Sequence, residues 1–288
     1  MCHSRGAVMT VINTNTGSIY AQQALILNSR GLDRTMNQLS TGKRINNSVD
    51  DVAGMAIATR LTSQIRGLNQ AVRNANDGIS MIQTAEGATE QVTNMLQRMR
   101  ELAVQASNDT NNTQDRTFLN MEFQALNSQI DKIANYTQWN AADVLNGNDR
   151  GLGSGVFSFQ VGANAAQTID VTFPDMRTSN AGLLTSILPT AVTSTTSANS
   201  ALGTISSALD LVNLERAKMG AVISRLQFAS DNLFNVSAKA SESRSRIEDT
   251  DYSMATTDLA RRNIIQQAAQ AMLAQANQAP QSVLQLLK

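Results

Sequence analysis

Apolar positions fall on helical spacing over most of this chain. From Leu61 the run Leu61, Ile65, Leu68, Val72, Ala75, Ile79, Ile82 advances in alternating steps of four and three, the seam of a coiled coil. A three-residue step to Ala85, which overwinds such a coil locally, leads into Thr89, Val92, Leu96, Met99, Ala103 and Ala106. The pattern predicts a helix of about 45 residues, roughly 70 Å long at a rise of 1.5 Å per residue. That exceeds the width of a compact domain and points to a rod. Leu119, Phe123, Leu126, Ile130 and Ile133 repeat the spacing, as do Leu202, Ile205, Leu209, Val212, Met219, Ile223, Leu226 and Leu233, where Arg216 and Ser230 interrupt the seam. Three such helices can bury their seams against one another. Leu61, Ile65, Leu68, Val72, Ile79, Ile82, Leu226 and Leu233 are the expected rod core.

The chain ends carry narrower stripes. Leu25, Leu32 and Leu39 recur every seven residues, and Ile265 and Met272 are seven apart among Ala268, Ala269 and Ala276. An isolated Ala-rich pair of this kind is marginal in water. The ends are therefore expected to pair with each other or with neighbouring copies, and to be disordered before that. Prolines stand only at 174, 189 and 280, which leaves residues 1–173 and 190–279 free for long helices. Between the helical blocks, Val156–Val161 and Thr168–Phe173 alternate apolar and polar, with Gly162-Ala163-Asn164 opening their connection. That reads as a hairpin. The expected fold is mainly α: a long coiled-coil-like helical rod built from both chain ends, with a small β-hairpin insertion in the middle.

Composition narrows the function. Apolar residues make up 42% of the 288, enough for a core, but charged residues only 16% and aromatics 4%, both low for a globular enzyme. Asn, Gln, Ser, Thr and Ala replace the charge, and 23 basic residues balance 23 acidic ones. A polar surface of zero net charge does not repel its own copies. It lacks the basic stripe that nucleic acid or an anionic membrane demands. One Cys (Cys2) and one His (His3) exclude an internal disulfide and a Cys/His metal site. No apolar run is long enough to span a membrane. No secretory signal core is visible, which taken alone would keep the chain in the cytoplasm.

Candidate chemistry dissolves on inspection. Asp50-Asp51 is the adjacent carboxylate pair that could serve as acid and base, yet it stands just before an apolar helical run, where both residues are expected to cap free N–H groups. Gly151–Gly155 is glycine-rich, but a helix precedes it and a strand follows, the reverse of a phosphate loop. Asn108-Asp109-Thr110 and Asn235-Val236-Ser237 are chance sequons in an Asn/Ser/Thr-rich chain. Met95, Met99, Met121 and Met219 sit at helical spacing, as core packing does. No catalytic constellation remains, and no cofactor is called for.

Several longer motifs carry a resemblance. Met9–Asn15, Leu39-Ser40-Thr41-Gly42-Lys43-Arg44-Ile45-Asn46, Asp50-Asp51-Val52-Ala53-Gly54-Met55-Ala56-Ile57, Arg73-Asn74-Ala75-Asn76-Asp77-Gly78-Ile79-Ser80 and the closing Ser282–Leu287 stand in order along the chain. Together they resemble the bacterial flagellins over about residues 9–150 and 200–288, with Met1–Val8 preceding the family's usual start. The resemblance implies a filament subunit for swimming motility, exported unfolded through the flagellar type III apparatus and ordered at its termini on assembly, so that it ends outside the cell. Implied partners are other copies of the chain, an export chaperone and the export gate, and hook-associated and cap proteins.

The implied layout has an N-terminal extension (1–8), an inner coiled coil from 9–49 and 246–288, a rod from 50–150 and 200–245, and a short variable β-containing segment at 151–199. Inner-coil assembly would fall to Leu25, Leu32, Leu39, Ile265, Met272, Leu284 and Leu287. Gln97, Arg98 and Leu102, with Glu122 opposite, resemble the segment recognised by the vertebrate flagellin-sensing Toll-like receptor. A hook–filament junction protein and a flagellin-like polysaccharide-binding surface protein share the core and are the alternatives.

Overall fold

A computed structural model describes residues 14–147, 155–178, 182–185, 188–189 and 191–285. The chain forms five helices and two small antiparallel hairpins among these residues: α1 (Thr16–Thr41), α2 (Val52–Ala106), α3 (Thr113–Tyr136), β1 (Gln138–Trp139), β2 (Ala142–Asp143), β3 (Val156–Gln160), β4 (Thr168–Thr172), α4 (Thr195–Glu248) and α5 (Tyr252–Gln285). Two compact units share them. One comprises residues up to Thr62 and from Ala240 onward, the other Ser63–Lys239, so the division falls inside α2 and α4.

In the Ser63–Lys239 unit the seams read from the sequence close on one another. Ile82, Leu96, Met99, Phe123, Ile130, Ile205, Met219 and Leu226 are essentially sealed from solvent in one cluster. Ile65, Leu68 and Leu233 are buried, whereas Val72 and Ile79 are half-buried. Leu61, at the edge of the other unit, is also half-buried. Polar contacts fix the directions. Ser237 Oγ donates to Asn69 Oδ1 (2.8 Å) and Thr195 Oγ1 to Asp109 Oδ1 (3.2 Å), so α4 runs antiparallel to α2. Arg98 pairs with Glu122 at 2.9 Å, and Arg116 Nε donates to the Ala106 carbonyl at 2.9 Å, so α3 runs antiparallel to α2 as well. The Arg116 contact places a cation at the negative end of α2. Asn112 and Asp115 start α3 with reciprocal side-chain-to-amide bonds.

Arg216, which interrupts the α4 seam, is half-buried. Its guanidinium lies 3.8 Å from Glu86, and its Nε is buried without a partner. Thr89, wholly buried in the α2 seam, returns its hydroxyl to the Ala85 carbonyl at 2.7 Å.

The expected hairpin is present, with Val156 opposite Thr172 and Gln160 opposite Thr168. It belongs to the same core. Phe157 meets Phe173 edge-on at 5.4 Å, and Val171 and Phe173 are buried. Asn74 Nδ2 reaches the Gln160 carbonyl at 3.1 Å. Phe159 lies over Gly78, where an added Cβ would stand only 3.1 Å from the ring. The alternation around residues 138–143 was too short to read from sequence. There a two-residue loop turns on Asn140 (φ 47°) and Ala141 (φ 60°), the left-handed pair that such tight hairpins require.

α5 continues past Pro280, where a helix is expected to break. Proline has no N–H to give to the carbonyl four residues back, that of Ala276. Asn15 Nδ2 donates to that oxygen instead, at 2.8 Å, while Asn15 Oδ1 caps α1 through the Ser18 amide at 3.0 Å.

Candidate assembly surface

The other unit is dominated by α1 against α5. Half-buried Leu25, Leu32 and Leu39 alternate along α1 with Ala21, Asn28 and Thr35. Asn28 and Thr35 are 8% and 4% exposed, so two of these six seam positions are polar. Asn28 Nδ2 donates to the Arg262 carbonyl at 2.9 Å, Thr35 returns its hydroxyl to Gly31, and Tyr252 Oη donates to the Leu39 carbonyl at 3.4 Å. With Asn15 on Ala276, these bonds set an antiparallel register along the whole pair. A buried Asn at a seam position fixes register at some cost in stability.

The α5 side of the seam corrects the sequence reading. Its inward positions are Ala255, Leu259, Arg262, Gln266, Ala269, Leu273 and Ala276. Ile265 and Met272 sit one position off, 44% and 65% exposed. Two adjacent frames of an Ala-rich helix share the same seven-residue spacing, and nothing in α5 alone chooses between them. The choice comes from α1, whose Asn28 takes the Arg262 carbonyl while the Arg262 guanidinium lies against Gly31. Leu284 stands in the last turn of α5, its side chain outside the described set, and Leu287 lies outside the described residues altogether. Cys2, His3 and residues 151–154 of the glycine-rich loop also lie outside them.

This frame leaves an apolar flank uncovered. Tyr20 and Leu27 on α1 are 71% and 59% exposed, and on α5 Ile264 is 67% exposed beside Ile265 and Met272. The antiparallel register sets residues 20–27 alongside 264–272, and heptad positions put Tyr20, Leu27, Ile265 and Met272 on one side of the seam, with Ile264 next to them on the outer face of α5. Contiguous apolar surface of this kind marks an interaction site rather than a solvated face.

The turn that closes the unit is polar and clamped. Gly42 ends α1 in the left-handed conformation (φ 71°), with its N–H on the Gln38 carbonyl. Lys43 pairs with Glu248 at 2.6 Å, the Arg44 amide donates to the Glu248 carbonyl, and the Thr250 amide donates to Gly42. Asp51 caps α2 as expected, accepting from the Gly54 amide at 2.8 Å. Asp50 does not cap. Its Oδ2 accepts from the Asn46 and Asn47 amides at 3.1 Å each, and its Oδ1 lies 2.8 Å from Arg34 Nε. One carboxylate fills the cap position, so the second turned back to organise the preceding loop. Burial alone pushes the Asp50 carboxyl upward. The Asn47 and Asn46 amides and the Arg34 charge together outweigh it and hold the carboxyl below its ordinary value.

On the other unit, Gln97, Arg98 and Glu122 face solvent. Arg98 is held by Glu101 (2.9 Å) as well as Glu122, and these hydrogen bonds raise its pKa further. A shallow groove of about 480 Å³ runs beside them, lined by Gln97, Arg100, Glu101, Val104 and Gln105. Leu102 is 1% exposed and belongs to the core, so its side chain cannot form part of a docking surface there. Its position three residues beyond Met99 and six beyond Leu96 puts it on the buried face. Among the described residues no group of three or more His, Cys, Asp or Glu could hold a metal ion, and no helix is long and apolar enough to cross a membrane.

Two family models match the chain: the bacterial flagellin N-terminal helical region over residues 12–150 and the bacterial flagellin C-terminal helical region over residues 202–287. Flagellin from Halalkalibacterium halodurans is 42% identical over 278 residues, covering 96% of this chain and 100% of that one. The chain belongs to the bacterial flagellin family. Flagellin from Bacillus subtilis is 38% identical over 96% of this chain and 99% of its own length. The flagellar filament 33 kDa core protein of Treponema phagedenis is 36% identical over 96% of this chain and 100% of its own. Flagellins are structural subunits of the flagellar filament that polymerise with themselves, and are not enzymes.

Proposed function

We propose that this flagellin builds its filament through the uncovered flank of the α1·α5 pair, with neighbouring copies burying Tyr20, Leu27, Ile264, Ile265 and Met272. The observation that carries this reading is a pair whose closed seam is interrupted by polar residues and alanines while large apolar side chains stand outside it. A weak seam gives little stability to an isolated pair, so contacts with other copies offset its ordering cost. Head-to-tail contacts that do not close on themselves then give a helical polymer.

Delivery in this reading is by unfolded export through the flagellar type III apparatus, aided by a chaperone and the export gate, with hook-associated and cap proteins bracketing an extracellular filament. Support comes from the low charge and from a single cysteine near the N-terminus, which leave few strong interactions to undo before threading. Removing residues 9–45 deletes α1 and tests the reading. The shortened chain keeps the helicity of the Ser63–Lys239 unit by circular dichroism, yet forms no filaments in negative-stain micrographs after ammonium sulfate is added. Normal filaments from it would refute the proposal.

A second role, as ligand of the flagellin-sensing Toll-like receptor, is supported by the exposed Arg98–Glu122 pair beside its groove. In that role Gln97, Arg98 and Glu122 make the contact and Leu102 only supports the helix beneath them.

A further inference from the structure

The methionines divide sharply by exposure. Met81, Met99, Met176 and Met219 are 3% exposed or less, while Met36, Met121, Met254 and Met272 are 53%, 64%, 72% and 65% exposed. Met55 and Met95 are half-buried, and Met1 and Met9 lie outside the described residues. Three of the four exposed sulfurs belong to the α1·α5 unit. Met272 stands in the apolar flank beside Ile265. Met36 follows the buried Thr35 of the seam, and Met254 precedes the buried Ala255. Leucine or isoleucine would serve an apolar contact equally well at such positions, and only methionine adds a sulfur that solvent oxidants can reach.

We propose that the exposed methionines of the α1·α5 unit, Met272 in the flank and Met36 and Met254 nearer the Gly42 turn, are oxidation sites whose conversion to sulfoxide opposes assembly. The proposal rests on the reading of that unit as the polymer contact. Each thioether sulfur attacks one oxygen of hydrogen peroxide. A sulfur–oxygen bond forms, the peroxide O–O bond breaks, and the departing hydroxide takes up the proton of the transferred hydroxyl and leaves as water. Sulfur gives up two electrons and the peroxide gains them. The product is a polar, chiral group in place of a flexible apolar one. It needs hydrogen-bond donors that Leu27, Ile264 and Ile265 do not supply, so burying it against a neighbour's copy of this flank opposes assembly. A thiol-dependent methionine sulfoxide reductase returns the thioether and reverses the switch. Sulfurs already covered in a filament are shielded, so the switch acts on subunits before they are incorporated.

The test uses the full-length monomer, hydrogen peroxide and peptide mass spectrometry. Mild treatment converts Met36, Met121, Met254 and Met272 and spares Met81, Met99, Met176 and Met219. The treated protein shows a critical concentration for polymerisation about tenfold or more higher, and reductase restores the original value. The M36L/M254L/M272L variant keeps its volume and helix preference. It is still oxidised at Met121, and treatment leaves its polymerisation unchanged. Unchanged polymerisation of treated wild-type protein carrying the three sulfoxides overturns the proposal, as does equal inhibition of the leucine variant. If untreated wild-type protein and the untreated variant both polymerise only through other surfaces, so that the Ile264 and Ile265 substitutions described below are silent, the assembly reading fails, whatever the peroxide result.

Discussion

Replacing Ile264 and Ile265 with glutamine isolates the uncovered flank from the helix that carries it. The two side chains are 67% and 44% exposed, and together they leave about one whole isoleucine's worth of surface in water. Fully burying an isoleucine contributes about 1.5–3 kcal/mol. If a neighbouring copy covers that surface, the I264Q/I265Q chain loses this amount per subunit added. Each 1.4 kcal/mol is a factor of ten in an equilibrium constant, so the critical concentration rises roughly 10- to 150-fold. Glutamine is a better helix former than isoleucine, and neither position faces α1, so the unfolding free energy of the monomer moves by less than about 0.5 kcal/mol. Sedimentation of polymer at graded concentrations reads the first quantity, and thermal circular dichroism of the monomer reads the second. A critical concentration within about twofold of the wild-type value, with an unchanged monomer, would show that filaments leave this flank in solvent.

Two further substitutions separate fold from surface. Leu102→Ala opens a cavity in the Ser63–Lys239 core and lowers its stability by about 2–5 kcal/mol, seen as a fall in the denaturation midpoint. Arg98→Ala with Glu122→Ala removes a solvent-screened pair that adds little to the fold yet reduces receptor signalling by monomer. Unchanged signalling from the double variant would sink the receptor role. Asp50→Asn tests the loop before α2. The folded carboxyl is held below its ordinary value of 3.8, so the ionised form contributes stability that is complete above that value and is lost as pH falls through the lower folded one. The wild-type unit is therefore more stable than D50N at neutral pH, and the gap narrows below pH 3.8 in an acid titration followed by circular dichroism. A gap independent of pH would mean that Asp50 acts through shape and not charge.

The rod unit was legible because its seams are wide and chemically uniform. Leu61 to Ile82 and Leu119 to Ile133 name the packed faces of α2 and α3 without reference to any partner, and the β3–β4 alternation fixes which side of the hairpin meets α2. The terminal pair was only half legible. Leucines at 25, 32 and 39 announce a seam, but Asn28 and Thr35 complete it, and polar residues do not announce themselves as interior. Their role depends on α5, more than two hundred residues away in sequence. For the same reason α5 could not declare its own frame: Ile265 and Met272 look like a core stripe until Arg262 is seen to occupy the inward position. The two adjacent aspartates were indistinguishable by spacing, since only the fold decides which carboxylate faces the amides of α2 and which meets Arg34. Leu102 read as surface because the resemblance assigned it a role, although its own spacing already placed it inside.

Pro280 removes a donor near one end of the chain, and Asn15 supplies the replacement from the other. A subunit that ends before Ala276, or is clipped past Asn15, loses this bond and leaves the pair held by the Asn28–Arg262 and Tyr252–Leu39 contacts. The bond joins the first turn of α1 to the C-terminal part of α5, so the two extremities of the chain meet in one contact. Fraying at either end opens the pair from that end, while Asn28 on Arg262 keeps the frame that leaves the flank exposed.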